Sequence, residues 1–166
     1  TWHDCAFIAV NQGPGPFTTL RTVLTTVNGI AFATGCRIIA IDCLDAFLNE
    51  LQQQPSKADM HACILNAFSH DVYYGLEDKH TGERYKGCAP AEKLIAELAA
   101  SKKKYLFAGN GTTMYESLIH QQLGEYATML ENNPQTCSIQ AIAQVALTQW
   151  RAGSKGISNV TPLYLK

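Results

Sequence analysis

The sequence contains one loop whose residue types could bind a phosphate group. Gly13 and Gly15 alternate with two prolines between a strand-like run and a helix-like run. A strand that leads through glycines into a helix N-terminus can present backbone amides to an anion. However, the spacing matches neither GxxxxGK[ST] nor GxGxxG, and each proline removes an amide donor. We therefore interpret the loop first as a structural turn, and keep Gly13, Gly15 and Thr18 as weak candidates for nucleotide binding.

The other polar residues predict neither a catalytic group nor a metal site. Ser69, His70 and Asp71 are consecutive, and neighbouring residues of a strand point to opposite faces, so the three cannot form a catalytic triad with one another. No two histidines have the HxxxH or HExxH spacing that brings two ring nitrogens to one metal ion. His61 lies in a strand-like run, which favours a hydrogen-bonded histidine of the core.

Composition indicates a globular chain with no strong electrostatic preference for nucleic acid. Of the 166 residues, 46% are apolar and 16% are charged, and the net charge is −1. The six cysteines include no CxxC pair, which favours thiols in a reducing compartment. No apolar run reaches membrane-spanning length. We therefore expect a cytoplasmic protein with no membrane contact.

Hydrophobic periodicity predicts alternating strands and helices, which is typical of an α/β fold. The expected helix N-caps are Thr18, Asp42 and Ser138, and Thr113 with Glu116 forms a predicted capping box. The polar, proline-containing stretch 52–59 is the best linker. It predicts two lobes, residues 1–56 with the order strand-helix-strand-helix, and residues 57–166 with the C-terminal helix and tail. The predicted elements are strands 5–10, 37–41, 60–66, 71–77, 83–87 and 105–108, and helices 18–34, 43–54, 90–100, 113–123 and 138–151.

The first helix carries a stripe of small side chains. The four residues are spaced four, three and four apart, and they are Thr22, Thr26, Gly29 and Ala33. Small residues allow another helix to approach closely, whereas a glycine inside a helix costs about 1 kcal/mol relative to alanine. Two explanations stay open: packing inside the domain, or contact with a helix of another chain.

Three stretches of the sequence resemble the TsaB (YeaZ) family. They are VNQGPGPFTTLRTVLTTVNGIAFATG, the following IIAIDCLDAF, and the terminal PLYLK. The family has a GPGSFTGLR-like loop and a PLYLR-like tail, and the resemblance extends over essentially the whole chain. It implies the two-lobed fold of the actin, Hsp70 and sugar kinase (ASKHA) superfamily. Because the family begins with several strands that precede this loop, we expect a first lobe truncated at its N-terminus.

The resemblance also implies a function without catalysis of its own. The family partners TsaD, together with the ATPase TsaE, in the threonylcarbamoyl modification of adenosine beside the anticodon of ANN-decoding tRNAs. The metal-binding HxxxH of TsaD would fall here on Cys43 and Phe47, and phenylalanine cannot bind a metal. The resemblance therefore implies no catalytic residue, metal or cofactor, a homodimer in isolation, and only indirect contact with tRNA.

In the family the first two helices contact TsaD or a second TsaB. The residues expected at this interface are Thr22, Thr26, Gly29, Ala33, Phe47 and Leu51. Two other hypotheses stay open: an enzyme of the same superfamily, either a small-molecule kinase or a peptidase-like hydrolase, and a tRNA-binding module.

Overall fold

The computed structural model describes residues 4–165, and residues 1–3 and 166 lie outside the described part. The structure combines helices with parallel and antiparallel strands, which confirms the α/β class expected from the sequence. The elements are β1 (Phe7–Gly13), α1 (Phe17–Thr34), β2 (Arg37–Asp42), α2 (Cys43–Gln52), β3 (Met60–Asn66), β4 (Asp71–Asp78), β5 (Arg84–Pro90), α3 (Ala91–Ala100), β6 (Tyr105–Ala108), α4 (Asn110–Met114), α5 (Glu116–Leu123), β7 (Ala127–Met129) and α6 (Ile139–Arg151).

The chain divides into two compact units. One is Thr1–Ala46 with Ser138–Tyr164, and the other is Phe47–Cys137 with Leu165–Lys166. This division differs from the expected lobes 1–56 and 57–166, because the C-terminal helix belongs with the first unit. Helix α6 buries Ile142 and Ala146 and contacts β1 and β2. A short pair of strands needs such a cover for its apolar side chains.

The first unit is built on β1 and β2, which pair in parallel. Helix α1 contacts both strands and turns Leu20, Leu24 and Ala31 towards the core. The segment after α6 adds to this unit, because the Asn28 side chain accepts from the Val160 amide and donates to its carbonyl, at 2.8 and 2.9 Å. A side-chain amide that bonds a backbone in both directions holds that backbone much as a neighbouring strand would.

The second unit contains a five-stranded sheet in the order β5-β4-β3-β6-β7. Strands β3, β4 and β5 run antiparallel, whereas β6 and β7 run parallel to β3. Alternate residues of the sheet join α3 and α5 in one apolar cluster, which includes Met60, Ala62, Ile64, Val72, Leu76, Phe107, Leu94, Ile95, Ile119 and Leu123. His61 lies between Met60 and Ala62 along β3, so it faces the other side of the sheet.

Two of the expected helix caps form, and two do not. Asp42 accepts from the Leu44 amide at 2.8 Å, and Ser138 accepts from the Ala141 amide at 3.1 Å. Thr18 is wrong as a cap, because α1 begins at Phe17, directly after a proline whose fixed φ suits a helix start.

The capping box predicted at Thr113 and Glu116 is also wrong. The helix breaks at Tyr115 into α4 and α5, and neither has a side-chain cap. The Thr113 hydroxyl instead accepts from the Asn133 side-chain amide at 3.0 Å. No described helix combines the length and apolar character needed to cross a membrane.

Candidate functional site

The glycine-proline loop is fitted to the C-terminal segment of the chain. Gly13 has φ +119°, and its amide donates to the Asn11 side chain at 2.8 Å. A Cβ at Gly13 would lie 2.9 Å from the Leu163 carbonyl oxygen, which is closer than side chains tolerate. The requirement for glycine here therefore follows from backbone packing. Gly15 has open space around it, and Thr18 is exposed in the first turn of α1.

The small side chains of α1 form one exposed surface, which we call the α1 face (Thr22, Thr26, Gly29 and Ala33). At about 100° per residue, the four lie opposite the buried residues of the same helix. Among the described residues, no neighbouring side-chain atom lies within 4 Å of a Cβ placed on Gly29. Packing inside the domain therefore does not explain the glycine in this structure.

The α1 face is apolar at its margins and has few unsatisfied donors. Phe32 and Val23 flank it, with 93% and 43% of their surface exposed. The hydroxyls of Thr22 and Thr26 each donate to the carbonyl four residues earlier, at 2.9 Å. Their methyl groups can then be covered without leaving a hydroxyl donor unpaired.

Helix α2 does not present the interface residues expected on it. Phe47 and Leu51 are both fully buried, with 0% of their surface exposed. The expectation that they contact a partner is therefore corrected, because α2 turns its apolar side inward as most amphipathic helices do. Cys43 is buried as well, and the described residues contain no group of three potential ligands that could hold a metal ion.

Ser69 and His70 lie in an exposed turn between β3 and β4. Phe68, Ser69 and His70 all have positive φ angles, which residues other than glycine adopt infrequently. The turn is closed by the Asp71 amide, which donates to the Phe68 carbonyl at 3.0 Å. Ser69 and His70 thus belong to the connection between the strands, and Asp71 begins β4.

A row of titratable side chains crosses the second unit's sheet on the face opposite the apolar cluster. His61, Glu77 and Arg84 are directly opposite one another on β3, β4 and β5, and we call them the polar row. Nδ1 of His61 lies 3.2 Å from Oε2 of Glu77, and the Arg84 guanidinium donates to Oε1 of Glu77 at 2.8 Å. Both His61 and Glu77 are only 1% exposed.

Helix α2 supplies two further partners to this row. The Gln52 side-chain amide donates to Oε1 of Glu77 at 2.7 Å, and the Arg84 guanidinium donates to the Asn49 side-chain oxygen. Glu77 thus accepts from three side chains on three different elements. Such a network fixes the carboxylate, and through it the orientation of the His61 ring.

The second nitrogen of His61 has no hydrogen-bond partner. Nε2 is the one buried side-chain nitrogen or oxygen among residues 4–165 that lacks one. Burial lowers the pKa of His61, while the hydrogen bond and the charge of Glu77 raise it. The ring is neutral at pH 7, so Nδ1 donates to the carboxylate and Nε2 has a lone pair to offer.

Sequence reasoning identified His61 as a hydrogen-bonded core histidine, but it missed the partners. Glu77 and Arg84 each lie two residues outside the turn 79–82, which joins the predicted strands 71–77 and 83–87. In an antiparallel hairpin, residues equally distant from the turn are opposite each other, so that turn contained the signal for this pair. The contribution of Asn49 and Gln52 depends on tertiary packing and has no local signal.

The chain matches known proteins in both sequence and structure. The family model described as TsaD, tRNA N6-adenosine threonylcarbamoyltransferase, matches residues 1–164. A Pseudomonas aeruginosa protein described as similar to the peptidase YeaZ has a TM-score of 0.77 and 22% identity, over 100% of this chain and 76% of that one. YeaZ from the same organism has a TM-score of 0.75 and 21% identity, over 99% and 77%. A search of curated proteins gives no match.

Proposed function

Because the chain belongs to the family of TsaD, tRNA N6-adenosine threonylcarbamoyltransferase, we propose that it is a non-catalytic cytoplasmic subunit of that modification system. It would bind a TsaD-type enzyme and hold it in its active arrangement, with the ATPase TsaE acting through the same complex. The substrate would be the adenosine beside the anticodon of ANN-decoding tRNAs, which this chain contacts only indirectly. Family membership and the YeaZ-like fold support a role in this tRNA modification.

The observation that carries the scaffold proposal is the α1 face. A helix with small side chains on its exposed side allows a second helix to come within about 8 Å, the close end of normal interaxial distances. Phe32 at its margin would leave water on docking, and burial of a phenylalanine side chain contributes about 1.5–3 kcal/mol. A helix of TsaD that also carries small or apolar side chains would fit this surface.

Charged side chains are nearly absent from the helix that carries the α1 face. Helix α1 contains one charged residue, Arg21, whose guanidinium lies over the Phe17 ring at 4.3 Å and bonds the Tyr164 hydroxyl at 3.3 Å. Depletion of charge at the centre is typical of protein interfaces. Nucleic acid, by contrast, is held through clusters of lysine and arginine, so the α1 face favours a protein partner over tRNA.

The test compares two alanine-to-arginine substitutions in the full chain. Ala33→Arg lies on the α1 face, and Ala96→Arg lies on the exposed side of α3 in the second unit. Co-elution with TsaD and threonylcarbamoyl transfer to tRNA in the presence of TsaE are measured for both. We expect Ala33→Arg to weaken co-elution by at least about tenfold, which corresponds to about 1.4 kcal/mol, while Ala96→Arg keeps it.

Three results would count against the proposal. Equal binding and equal activation by both variants would exclude the α1 face as the contact surface. A homodimer disrupted by Ala33→Arg, with TsaD binding unchanged, would assign the face to self-association. Turnover by the purified chain alone would favour an enzyme, consistent with the transferase named in the family description.

A further inference from the structure

Two exposed aromatic rings hold Arg21, the one charged residue of α1, in place. Nε of Arg21 donates to the Tyr164 hydroxyl at 3.3 Å, and its guanidinium carbon lies 4.3 Å from the centre of the Phe17 ring. The two rings stack at a centroid distance of 6.1 Å, and both are exposed. We call these three residues the arginine cluster. An arginine that is already held in one orientation loses less side-chain freedom when a partner binds.

The described part of the chain gives Arg21 no carboxylate. No ion pair and no further hydrogen bond joins it to any of residues 4–165. The guanidinium also has N–H donors on Nη1 and Nη2, in a planar fork that matches the two oxygens of a carboxylate. The cluster is therefore able to bind a carboxylate that another molecule brings.

Arg21 belongs to a row of side chains that borders the α1 face. Arg21, Thr25, Asn28 and Phe32 have the same spacing of four, three and four as that face, one residue earlier in the helix. Since one residue corresponds to about 100° of rotation, the row runs alongside the α1 face. A partner helix that covers the face would therefore also reach this row.

A groove lies beside Arg21, between α1 and residues 159–162. Its volume is about 310 Å³, whereas one water molecule occupies about 30 Å³ of liquid. Leu24 and Val160 contribute buried apolar side chains to it, and Arg21 is the one charged residue among the described residues that line it. A side chain with an apolar stem and a negative end, such as glutamate, fits this groove.

The positions of Arg21 and Phe32 indicate what a partner helix must carry. The two residues are eleven positions apart, which is about 16 Å along α1. A helix that meets both of them has an acidic residue and an apolar residue separated by about three turns.

Neither a second copy of α1 nor a phosphate chain fits the arginine cluster as well. Residues 17–34 contain no aspartate or glutamate, so α1 packed against α1 brings no carboxylate from that helix. Phosphate chains of nucleic acid are held through clusters of basic residues, and neither α1 nor residues 159–164 contain a lysine.

From these observations, we propose that Arg21 binds an aspartate or glutamate on the helix of the TsaD-type enzyme that docks on the α1 face. This inference rests on the proposed function and adds the chemistry of the partner surface. The carboxylate accepts from the guanidinium fork, while Phe17 and Tyr164 position that fork. The arginine cluster then selects TsaD over a second copy of this chain.

The experiment compares substitutions of two exposed arginines in the full chain. Arg21→Met keeps a long apolar stem without the charge, and Arg21→Glu reverses the charge. Arg151→Met and Arg151→Glu make the same changes in the last turn of α6. We expect Arg21→Met to raise the Kd for TsaD by about tenfold and Arg21→Glu to raise it further, while both Arg151 variants stay within about twofold.

Two further measurements separate a charge contact from a packing contact and from self-association. The affinity of the unaltered chain for TsaD should fall with added NaCl more steeply than that of Arg21→Met, because salt screens the pair. Sedimentation of the isolated chain should show the same self-association for both, since a second α1 offers no carboxylate.

Four results would overturn the inference. If Arg21→Met binds TsaD as tightly as the unaltered chain, or if Arg21→Met and Arg21→Glu weaken binding equally, the charge of Arg21 contacts no carboxylate. Weakened self-association with unchanged TsaD binding would assign the cluster to a second copy. Weakened retention of tRNA with unchanged TsaD binding would assign it to a phosphate.

Ala33→Arg distinguishes failure of this inference from failure of the proposed function. If Ala33→Arg weakens TsaD binding and neither Arg21 variant does, the α1 face remains the contact surface and the carboxylate contact is excluded. If neither position affects binding, both proposals are wrong.

Discussion

The α1 face and the polar row reverse the usual distribution of side chains. Phe32 beside the α1 face is 93% exposed, whereas His61 and Glu77 are each 1% exposed. Globular proteins usually bury phenylalanine and expose glutamate. One region thus places apolar and small groups in water, and the other places titratable groups away from it.

The two regions differ in how the chain compensates for the reversal. In the polar row, Glu77 accepts from His61, Arg84 and Gln52, so the cost of burying the charge is offset inside the protein. At the α1 face, no residue in the described range 4–165 covers Gly29. The polar row is thus closed internally except at one nitrogen, whereas the α1 face is left open by the described residues.

The largest expected effect on stability comes from removing Glu77, the shared acceptor of the polar row. Glu77→Ala leaves the charge of Arg84 beside a buried histidine, and loss of one partner of a buried ion pair costs about 3–5 kcal/mol. Arg84 is one quarter exposed and can turn towards water, so we expect about 3 kcal/mol. The free energy of unfolding in urea measures this loss. Glu97→Ala, on the exposed side of α3, should change it by less than about 0.5 kcal/mol.

A small effect of Glu77→Ala would break the comparison. It would mean that the polar row contributes little to stability and resembles the exposed surface more than its burial indicates. A double variant, Glu77→Leu with Arg84→Leu, sharpens the test. It should recover part of the loss, because it removes both charges together.

The next effect is a dependence of stability on pH. The pKa of His61 is lowered, first by burial, so the folded state binds fewer protons than the unfolded state near pH 6. The contribution of neutral His61 to the free energy of unfolding is therefore fully present above about 6.5, the pKa of histidine in the unfolded chain. It is lost as pH falls towards the lower pKa of His61 in the folded state. We expect a loss of up to about 1.4 kcal/mol per pH unit in that window.

Urea unfolding between about pH 7 and pH 5 measures this slope. His61→Gln should flatten it, whereas His120→Gln, at an exposed helix position, should retain it. Equal slopes in the unaltered protein and in His61→Gln would show that other groups carry the dependence. No comparable pH effect is expected from the α1 face, because none of its four residues titrates.

The sequence predicted local features well and tertiary ones poorly. Strands β3 and β6 and the caps Asp42 and Ser138 formed as expected, because each depends on residues close in the chain. The three-residue strand β7 was missed, since so short a run has no measurable period.

The membership of α6 in the first unit was missed because contacts between distant segments leave no local pattern. The same limit applied to the candidate sites. The stripe on α1 was visible from spacing alone, but its exposure was not. Phe47 and Leu51 were placed at an interface by resemblance, while the structure buries them.

The smallest expected effect separates stability from contact on the α1 face. Gly29→Ala should raise the free energy of unfolding by about 0.8–1 kcal/mol, because glycine is costly inside a helix and the added methyl meets no atom. Gly109→Ala is the matched control and should destabilise, because Gly109 has φ +109° and a Cβ there would overlap the Ile64 carbonyl oxygen.

The same Gly29→Ala variant then tests why the glycine is present. If a helix of TsaD approaches the α1 face closely, the methyl group must weaken that complex even though the isolated chain is more stable. If Gly29→Ala raises the free energy of unfolding but weakens binding to TsaD, the role of Gly29 is to allow close approach of the second helix. If the variant is stabilised and binds TsaD equally well, the contact does not centre on Gly29, and the exposed Phe32 at the margin becomes the better candidate for its anchor.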